Sequence, residues 1–267
     1  MKYKRVLTIA GSDPSGGAGI QADLKTMSAC GCYGMSVITA VVDENTAGVA
    51  GVHPVPVTFV QGQIKSVLDD IGADAIKIGM LHSSELIRAV KSSLARYSMR
   101  NIVLDPVMVA TSGDKLLQDE AIRTLSTELL PHVRVITPNL PEAAVLLGET
   151  IEQPELVRAA KELSLNGRVS VLLKAGHLSG DTLTDIFYNA ESDEIVELTS
   201  QRIVTRNTHG TGCTFSSAIA SFLAHRLPLN DAVQRAKDYT HQAIAHGAAY
   251  ETGTGHGPVH HFFNFWK

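Results

Sequence analysis

Short apolar runs alternate with longer amphipathic stretches along most of the sequence. The runs are rich in β-branched residues and predict six strands, at 6–11, 36–42, 75–81, 101–108, 133–139 and 169–176. The stretches between them have the three- and four-residue spacing of helices, as in IQADLKTMSACG and SELIRAVKSSLARY. Continuous apolar strands separated by helices are typical of a mainly parallel central sheet with helices on both faces. We therefore predict an α/β fold.

After Gly176 the pattern changes to TDIFYN and EIVELTSQRIV, which predicts an antiparallel pair of strands at one edge of the sheet. The chain has 267 residues, of which 44% are hydrophobic, and this is enough for one large core. The sequence contains no repeat, low-complexity segment or linker. We therefore predict a single domain over residues 1–267.

The charge pattern excludes several classes of partner. The net charge is −4 at a pI of about 6.2, and the 23 lysines and arginines are scattered, so nucleic acid and anionic membranes are not expected partners. No apolar run is long enough to span a bilayer. Three cysteines, without an apolar signal stretch near the amino terminus, predict a cytoplasmic protein. We expect a small-molecule ligand.

Residues 207–224, NTHGTGCTFSSAIASFLA, place two glycines and a cysteine at the start of a helix predicted over 213–224. Gly210 and Gly212 lie just before its first turn, where unpaired backbone N–H groups and the helix dipole attract anions. No Gly-Lys-Ser/Thr follows, so a phosphate bound here must be neutralised by the backbone, a cation or a lysine from elsewhere. A glycine-rich turn that only packs the helix closely is the alternative.

Polar residues follow the predicted strands at their carboxyl ends, which is where open parallel sheets bind ligands. In chain order these residues are Ser12, Asp13, Asp43, Glu44, Asn45, Asp105, Asn139, Glu142 and Lys174. Because the carboxyl ends of parallel strands meet at the same edge, we expect these side chains to converge there. The start of the 213–224 helix is expected at the same edge if it follows the last strand.

This set contains the groups that phosphoryl transfer requires. Asp105 and Glu142 are hard oxygen donors of the kind that Mg²⁺ prefers, often through its own water ligands. Lys174 can reach nucleotide phosphates, and Asn139 can hold a phosphate or a metal-bound water. Each has a plainer alternative: a helix cap or surface acid for the carboxylates, a solvated lysine, and an asparagine turn after Pro138.

Cys213 is the most informative residue of the predicted site. A helix N-terminus favours the thiolate, so Cys213 could act as a base. A bound anionic phosphate would oppose the thiolate, which leaves a purely positional role open. An inert buried thiol is the remaining alternative.

Two further features suggest sites that the sequence does not support. The stretch GSDPSGGAGIQAD (11–23) lacks the Gly-x-Gly-x-x-Gly of dinucleotide-binding folds, which argues against a nicotinamide oxidoreductase. Gly16 and Gly17 suit a hinge or a close approach of the substrate better. His256, His260 and His261 could ligate a metal, but we predict an ordinary surface tail there.

Four segments occur together and in order: GSDPSGGAG (11–19), LDPVM (104–108), TPNLPE (137–142) and GTGC (210–213). As a set they resemble the bacterial hydroxymethylpyrimidine and phosphomethylpyrimidine kinases of thiamine synthesis, members of the ribokinase-like superfamily. The resemblance extends from Leu7 to Phe262. It implies a ribokinase-like fold, the cofactors ATP and Mg²⁺, a pyrimidine substrate that is phosphorylated twice, and a homodimer.

The resemblance also implies a role for each matching residue. The implied catalytic residues, which include the anion hole, are Gly210, Thr211, Gly212, Cys213 and Lys174. The implied ligands of Mg²⁺ are Asp105 and Glu142. The implied nucleotide contacts are Asn139, Lys174, Thr208, Gly210 and Gly212. The implied pyrimidine pocket contains Ala18, Gly19, Val42, Glu44, Met80 and Val107. Residues 109–116 are implied to form a flap over the reacting groups.

Glu44 distinguishes the two nearest substrate classes. An aminopyrimidine presents an exocyclic donor beside a ring nitrogen, and one carboxylate can engage both if the nitrogen or the acid is protonated. Pyridoxal kinases of this lineage often have glutamine at this position and a cysteine in the flap, which here reads Val-Ala-Thr at 109–111. We therefore predict the pyrimidine substrate. A pyridoxal or pyridoxine kinase is the near alternative, and a non-catalytic nucleotide-binding protein is the alternative from a different class.

Overall fold

The computed structural model describes residues 2–108, 117–176 and 180–266, so the predicted flap at 109–116 lies outside the described residues. The strands are β1 (Arg5–Ala10), β2 (Tyr33–Ile38), β3 (Ala40–Asn45), β4 (Gly48–Pro54), β5 (Ala75–Ile78), β6 (Ile102–Leu104), β7 (Val135–Ile136), β8 (Ser170–Leu173), β9 (Thr182–Asn189) and β10 (Glu194–Gln201). The α-helices are α1 (Gly19–Ala29), α2 (Val57–Asp70), α3 (Ser84–Leu94), α4 (Asp119–Thr124), α5 (Leu140–Leu147), α6 (Leu156–Leu163), α7 (Thr211–Ala224) and α8 (Leu229–Gly247). A π-helical turn (Leu125–Leu129) and two 3-10 turns (Leu130–His132 and Gln153–Glu155) complete the described helical segments.

Eight strands form the main sheet in the order β10-β9-β8-β7-β6-β5-β1-β2. The six strands from β8 to β2 in this order are parallel to one another. β9 pairs antiparallel with β8, and β10 pairs antiparallel with β9 at the edge. The sheet confirms the predicted α/β fold and the antiparallel pair after Gly176.

Helices cover both faces of the main sheet, as predicted. Side chains of a strand alternate between the two faces, so Leu7 and Val6 of β1 belong to different apolar clusters. The cluster around Leu7 is completed by residues of α2 to α6, and the cluster around Val6 by residues of α1, α7 and α8. Burying one leucine or isoleucine contributes roughly 1.5–3 kcal/mol, so these clusters supply the main favourable term in folding. No helix in the described parts of the chain is long and apolar enough to cross a bilayer.

The strand predicted over 36–42 is wrong in its extent. The chain breaks at Thr39: β2 ends at Ile38, and β3 leaves the main sheet to pair with β4 in a two-stranded antiparallel sheet that we did not predict. Thr39 is fully buried, and it donates its N–H to the carbonyl of Ala10 and its hydroxyl to the carbonyl of Met80. Val41, just beyond the break, is 52% exposed. The apolar run therefore continues past the point where the chain leaves the core.

The surface tail predicted around the C-terminal histidines is also wrong for two of them. His260 and His261 are buried, and only His256 is exposed. His261 Nε2 lies 3.1 Å from Thr214 Oγ1 of α7, and the Tyr239 hydroxyl of α8 donates to the His261 carbonyl at 2.7 Å. The tail therefore packs against α7 and α8 and helps to hold the start of α7.

Candidate active site

One face of the main sheet becomes polar at the carboxyl ends of its strands. On the face that contacts α7, five parallel strands carry the apolar residues Val6, Ala75, Val103, Val135 and Leu172. Two residues further on, the same face carries Thr8, Lys77, Asp105, Thr137 and Lys174. Because side chains two residues apart in a strand share a face, two lysines and a carboxylate lie together at the carboxyl ends of the strands, beside the start of α7.

The helix predicted to begin at Cys213 begins earlier, at Thr211, with Gly210 as its N-cap residue at φ +76°. A Cβ on Gly210 would lie 1.7 Å from the carbonyl oxygen of Gly17, so only glycine fits this approach. A Cβ on Gly212 would lie 3.2 Å from Lys174 Nζ. The first turn of α7 therefore borders the same space as the ammonium of Lys174, an arrangement that suits an anion.

Asp105 is closely surrounded by hydrogen-bond donors. Its carboxylate accepts from Lys174 Nζ at 3.0 Å, from Thr137 Oγ1 at 3.0 Å and from Ser216 Oγ at 3.3 Å. Burial alone would raise the pKa of this carboxyl, but Lys174 and Lys77 hold it below its ordinary value. Burial likewise opposes the charge on Lys174, whose pKa Asp105 nevertheless raises. Asp105 and Lys174 are therefore both charged at neutral pH.

Asn139 and Glu142 form a capping box at the start of α5. Glu142 N–H donates to Asn139 Oδ1 at 2.9 Å, and Asn139 N–H donates to Glu142 Oε2 at 2.8 Å. The helix cap given above as an alternative for Glu142 is therefore present. Glu142 is 4% exposed, and burial raises the pKa of its carboxyl to about 7, with Lys174 opposing the shift and Asp105 adding to it.

Cys213 is the third residue of α7 and lines a cavity. Burial raises the pKa of its thiol to about 12; Lys77 opposes this shift, and Asp23 adds to it. Desolvation of the sulfur thus outweighs the partial charge of the helix N-terminus, which favours the thiolate. The protonated thiol favours the positional role over the role of a base.

Lys77 is a buried cation that the sequence analysis did not select. Its ammonium lies 2.8 Å from both carboxylate oxygens of Asp23, and both side chains are completely buried. Thr8 Oγ1 and Ser217 Oγ donate to the same carboxylate at 2.6 and 2.7 Å. Lys77 borders the same cavity as Cys213. The signal that could have found it is a lysine inside the otherwise apolar run AIKIGML.

His209 is also a functional candidate that the sequence analysis missed, and Asp13, which we expected at this edge, was given no role there. His209 Nε2 lies 2.9 Å from Asp13 Oδ2 and 3.8 Å from Glu44 Oε1, and all three residues line the cavity. A Cβ on Gly17 would lie 2.3 Å from Cδ2 of the His209 ring. The close approach at Gly17 in this structure is therefore to His209.

Two cavities meet at these residues. The inner pocket contains every predicted pyrimidine contact together with Asp105, Gly210 and Cys213; those contacts are Ala18, Gly19, Val42, Glu44, Met80 and Val107. The outer groove runs beside α7 and α8 and includes Leu183, Phe215, Lys237, His241 and Ile244. The two cavities share one wall, formed by Asn139, Glu142, Lys174, Thr208, Thr211 and Gly212. Every described residue to which the resemblance assigns a role thus lines one or both cavities. Asp43 and Asn45, which we expected at this edge, are exposed and line neither cavity, because β3 leaves the main sheet.

This geometry can hold two ligands whose neighbouring ends lie at the start of α7. Backbone N–H groups and the ammonium of Lys174 would attract negative charge at that point. The inner pocket ends in a carboxylate, Glu44, whose pKa is raised by burial and by Asp13 and lowered by His209. Such a site suits the transfer of an anionic group from a ligand in the outer groove to a ligand in the inner pocket.

Comparison with known proteins gives a consistent result. A family model described as phosphomethylpyrimidine kinase matches residues 13–260. The hydroxymethylpyrimidine/phosphomethylpyrimidine kinase of Rhizobium meliloti is 50% identical over 263 residues, which cover 98% of each chain. The thiamine biosynthesis bifunctional protein ThiED of Geobacter sulfurreducens is 49% identical over 258 residues, which cover 96% of this chain and 52% of that protein.

Among solved structures, the pyridoxal kinase of Staphylococcus aureus in complex with AMP-PCP and pyridoxal matches with a TM-score of 0.89 and 33% identity. The match covers 99% of this chain and 96% of that one. The similarity to this kinase extends over almost the whole fold. The family match includes the outer groove, the wall that the two cavities share and all but three of the residues that line the inner pocket. The chain therefore belongs to the phosphomethylpyrimidine kinase family.

Proposed function

We propose that the chain phosphorylates 4-amino-5-hydroxymethyl-2-methylpyrimidine and then its monophosphate, using ATP and Mg²⁺, to give the pyrophosphate used in thiamine biosynthesis. The observation that carries the proposal is the wall that the inner pocket and the outer groove share at the start of α7. The names of the full-length relatives supply the acceptor, and that of ThiED supplies the pathway.

The acceptor belongs in the inner pocket and the nucleotide in the outer groove. Val42, Met80 and Val107 offer the inner pocket an apolar surface for a methylated ring, and Glu44 offers a carboxylate for the amino group. The outer groove takes a larger ligand and is lined by His241 and by Lys237, which pairs with Asp185 at 2.7 Å. A related pyridoxal kinase binds an ATP analogue and a small ring substrate together, which supports this division.

The phosphoryl group would cross the wall between the two cavities. In a loose transition state, negative charge is spread over the oxygens of the transferred group, and catalysis is mainly positioning and charge stabilisation. Lys174 and the backbone N–H groups of the first turn of α7 supply that stabilisation, and one such donor is worth about 10²–10³ in kcat. Cys213 orients the attacking hydroxyl. Because the bond to the leaving ADP is largely broken before the new bond forms, the hydroxyl needs little activation by a base, and its proton passes to an oxygen of the transferred phosphoryl group.

The carboxyl groups of Asp105 and Glu142 fit a magnesium site by their chemistry. Both are buried oxygen donors on the wall of the inner pocket, and burial raises the pKa of Glu142 to about 7 because its charge is incompletely compensated. A divalent cation held there would compensate this charge. Mg²⁺ supplies charge neutralisation on the phosphate oxygens of the nucleotide.

Magnesium-dependent release of ADP tests the function directly. The acceptors are the hydroxymethylpyrimidine and, in parallel, pyridoxal, and phosphorus NMR identifies the products. We expect rapid release with the pyrimidine, with the monophosphate appearing first and the diphosphate afterwards. Release with neither acceptor would contradict the proposed function and would favour a nucleotide-binding protein without kinase activity.

Pyridoxal is the second candidate acceptor, because the similar kinase of Staphylococcus aureus was solved in complex with it. Glu44 separates the two, since an ionised carboxylate suits an aminopyrimidine better than a phenolic ring. We expect Glu44→Gln to reduce kcat/KM for the pyrimidine at least about tenfold more than for pyridoxal, which corresponds to about 1.4 kcal/mol of discrimination. Equal losses for both substrates would remove Glu44 as the selector.

The resemblance also supports a homodimer in the cytoplasm. The small sheet of β3 and β4 leaves Val41 and Val52 52% and 40% exposed, and a partner subunit could cover such apolar side chains. Sedimentation equilibrium would distinguish a dimer from the 28.6 kDa monomer.

A further inference from the structure

The imidazole of His209 lies between two carboxylates in the wall of the inner pocket. Its Nε2 is 2.9 Å from Asp13 Oδ2 and 3.8 Å from Glu44 Oε1. The three side chains each bring one polar atom into a group with all separations within 4.8 Å. Neither Asp13 nor His209 has a role in the phosphoryl transfer described above, so this cluster requires its own explanation.

Asp13 is held as an anion by the turn that follows β1. Its carboxylate accepts backbone N–H groups from Ser15 at 2.7 Å, Gly17 at 3.0 Å and Ala18 at 2.6 Å. Burial alone would raise the pKa of this carboxyl, but the bonds from His209 and from the turn hold it far below its ordinary value. Because an ionised carboxylate can only accept hydrogen bonds, Nε2 of His209 must carry a hydrogen.

The ring of His209 is fixed in place on several sides. Gly17 approaches it so closely that a Cβ there would lie 2.3 Å from Cδ2, and the same Cβ would lie 3.1 Å from Pro258. The backbone N–H of His209 donates to the carbonyl of Gly257 at 3.0 Å. The next residue is Gly210, the N-cap of α7. His209 therefore connects the inner pocket to the start of α7, and its neighbours restrict rotation of its ring.

The charges around His209 favour its protonated form. Burial opposes the charge, but Asp13, from the turn after β1, and Glu44, from β3, raise the pKa of the imidazole above its ordinary value. Lys25 of α1 reaches the other side of the turn, where its ammonium donates to the carbonyl of Gly16 at 2.7 Å. The pKa of Glu44 responds to the same cluster: burial and Asp13 raise it, and His209 lowers it.

We propose that His209 is a specificity-determining positioning residue, which Asp13 holds as an imidazolium so that Glu44 stays ionised and fixed in orientation toward the acceptor ring. The proposal rests on the proposed function. The Asp13–His209 pair is neutral as a unit, so Glu44 carries the net charge of the cluster. Its carboxylate then accepts from the amino group and the protonated ring nitrogen of an aminopyrimidine, and it repels the phenolate oxygen of a pyridoxal-like ring.

The variant His209→Gln tests the proposal, because glutamine can still donate an N–H to Asp13 but carries no charge. Glu44 should then hold its proton to higher pH. We expect the acid limb of kcat/KM for the pyrimidine to move upward by about one pH unit. We also expect KM to rise several-fold while kcat changes less than about twofold, because the phosphate wall is untouched. Ionisation of the substrate affects both enzymes equally, so the difference between the two profiles belongs to the enzyme.

His261→Gln is the matched control. His261 is also a buried histidine, but its Nε2 contacts Thr214 Oγ1 at 3.1 Å, and it lines neither the inner pocket nor the outer groove. Loss of this imidazole should leave the acid limb in place. In a Glu44→Gln background, His209→Gln should add no further rise in KM, because His209 acts through Glu44. An unshifted acid limb in His209→Gln, or additive effects of the two substitutions, would overturn the proposal.

Nitrogen-15 NMR of the wild-type imidazoles gives a readout that needs neither a variant nor turnover. We expect both ring nitrogens of His209 to carry hydrogen at pH 7.5. A neutral His209 ring at that pH would overturn the proposal. A wild-type protein that shows a protonated His209 but no pyrimidine-dependent turnover would support the charge arrangement and contradict the proposed function instead.

Discussion

For Cys213, position in the chain and surroundings in the fold lead to opposite expectations. The third residue of a helix meets the positive end of the helix dipole, which favours a thiolate. In the fold Cys213 is partly buried, and burial raises the pKa of its thiol to about 12 although Lys77 opposes the shift. The desolvation of a whole charge thus outweighs the attraction of a partial one. A protonated thiol can still orient a hydroxyl, so removal of the thiol should slow turnover.

We expect Cys213→Ala to lower kcat by about ten- to a hundredfold, within the range of a lost positioning or proton-transfer group, and to change KM for ATP little. Steady-state kinetics would measure this. Because the thiol pKa is about 12, no ionisation of Cys213 should appear in the wild-type profile between pH 6 and 9. Cys30→Ala, at the C-cap of α1 and outside both cavities, is the control. Unchanged turnover in Cys213→Ala would contradict its placement at the reacting groups.

The missed residues differ from the predicted ones in where their partners lie in the sequence. Asn139 and Glu142 are three residues apart, and their local pattern indicated a helix start as well as a site. Lys77 pairs with Asp23 across 54 residues, and His209 pairs with Asp13 across 196. A lone buried charge costs too much to persist, but its partner becomes visible only in the fold. Local spacing could therefore predict the wall of the site but not the ion pairs behind it.

At the scale of elements, the start of α7 depends on the absence of a side chain at Gly210. Its φ of +76° costs a non-glycine residue about 1–2 kcal/mol, and a Cβ would also meet the Gly17 carbonyl at 1.7 Å. Gly148, the C-cap of α5, has the same φ of +76° with nothing within 4 Å of its Cβ position. A side chain at Gly148 would therefore cause backbone strain alone, whereas a side chain at Gly210 would cause the same strain and a steric collision.

We expect Gly148→Ala to lower the free energy of unfolding by about 1 kcal/mol, and Gly210→Ala to lower it by about 3 kcal/mol or more and to abolish turnover. Urea unfolding followed by circular dichroism gives the two free energies. Similar losses for both variants would show that the turn around Gly17 can move away, and that the close contact is not needed to place α7.

Glu142 at the start of α5 gives the fold a pH dependence. The pKa of its carboxyl in the folded protein, about 7, lies above its ordinary value of 4.5, so the folded state binds this proton more tightly than the unfolded state does. The protonated carboxyl therefore contributes to the free energy of unfolding. This contribution is fully present below pH 4.5 and is lost as the pH rises through about 7. Glutamine mimics the protonated form and keeps the capping box. We therefore expect Glu142→Gln to exceed the wild type in stability at pH 8, on the order of 2 kcal/mol, but not at pH 4.5.

Chemical unfolding at the two pH values, with EDTA present, would measure this difference. Glu155→Gln is a suitable control, because Glu155 caps a 3-10 turn in the same way but is only half-buried, and its pKa is lowered. That control should gain nothing at pH 8. Equal behaviour of the two variants would contradict the assignment of the pH dependence to burial of Glu142.

Whole elements were predicted well where hydrophobic periodicity decides them, and poorly where tertiary contacts do. The six parallel strands and the helices between them could be predicted, because a strand or helix that buries one face must repeat its apolar residues at a fixed spacing. The break at Thr39 does not, because it depends on hydrogen bonds to Ala10 and Met80 that join distant parts of the chain. The burial of His261 against Thr214 and Tyr239 is of the same kind.

In the molecule as a whole, strand order explains where the site forms. β1 lies between β2 and β5, so the chain leaves β1 toward one edge of the sheet and later returns to build the other side. Ligand sites of open sheets form at such a change of direction, beyond the carboxyl ends of the strands. The turn after β1 provides Asp13, Ala18 and Gly19, and β5 provides Lys77, so both walls of the inner pocket arise at this point.

The wall shared by the inner pocket and the outer groove should couple the binding of the two ligands. The pyrimidine alcohol is uncharged where it meets the wall, whereas its monophosphate places a second anion beside the terminal phosphate of the nucleotide. Lys174 is the cation of this wall, and it is already paired with Asp105 at 3.0 Å. Two unit charges about 5 Å apart repel by roughly 3 kcal/mol at an effective dielectric constant near 20, before screening by Mg²⁺.

We therefore expect a non-hydrolysable ATP analogue to bind about tenfold more weakly in the presence of the saturating pyrimidine monophosphate than in the presence of the alcohol, at constant Mg²⁺. Titration calorimetry would measure both dissociation constants, and by reciprocity the analogue should weaken binding of the monophosphate by the same factor. The penalty should grow as Mg²⁺ is lowered, because the cation neutralises the repelling charges. Equal affinities would mean that the two phosphates occupy separate places, and that the second phosphorylation uses a different part of the wall from the first.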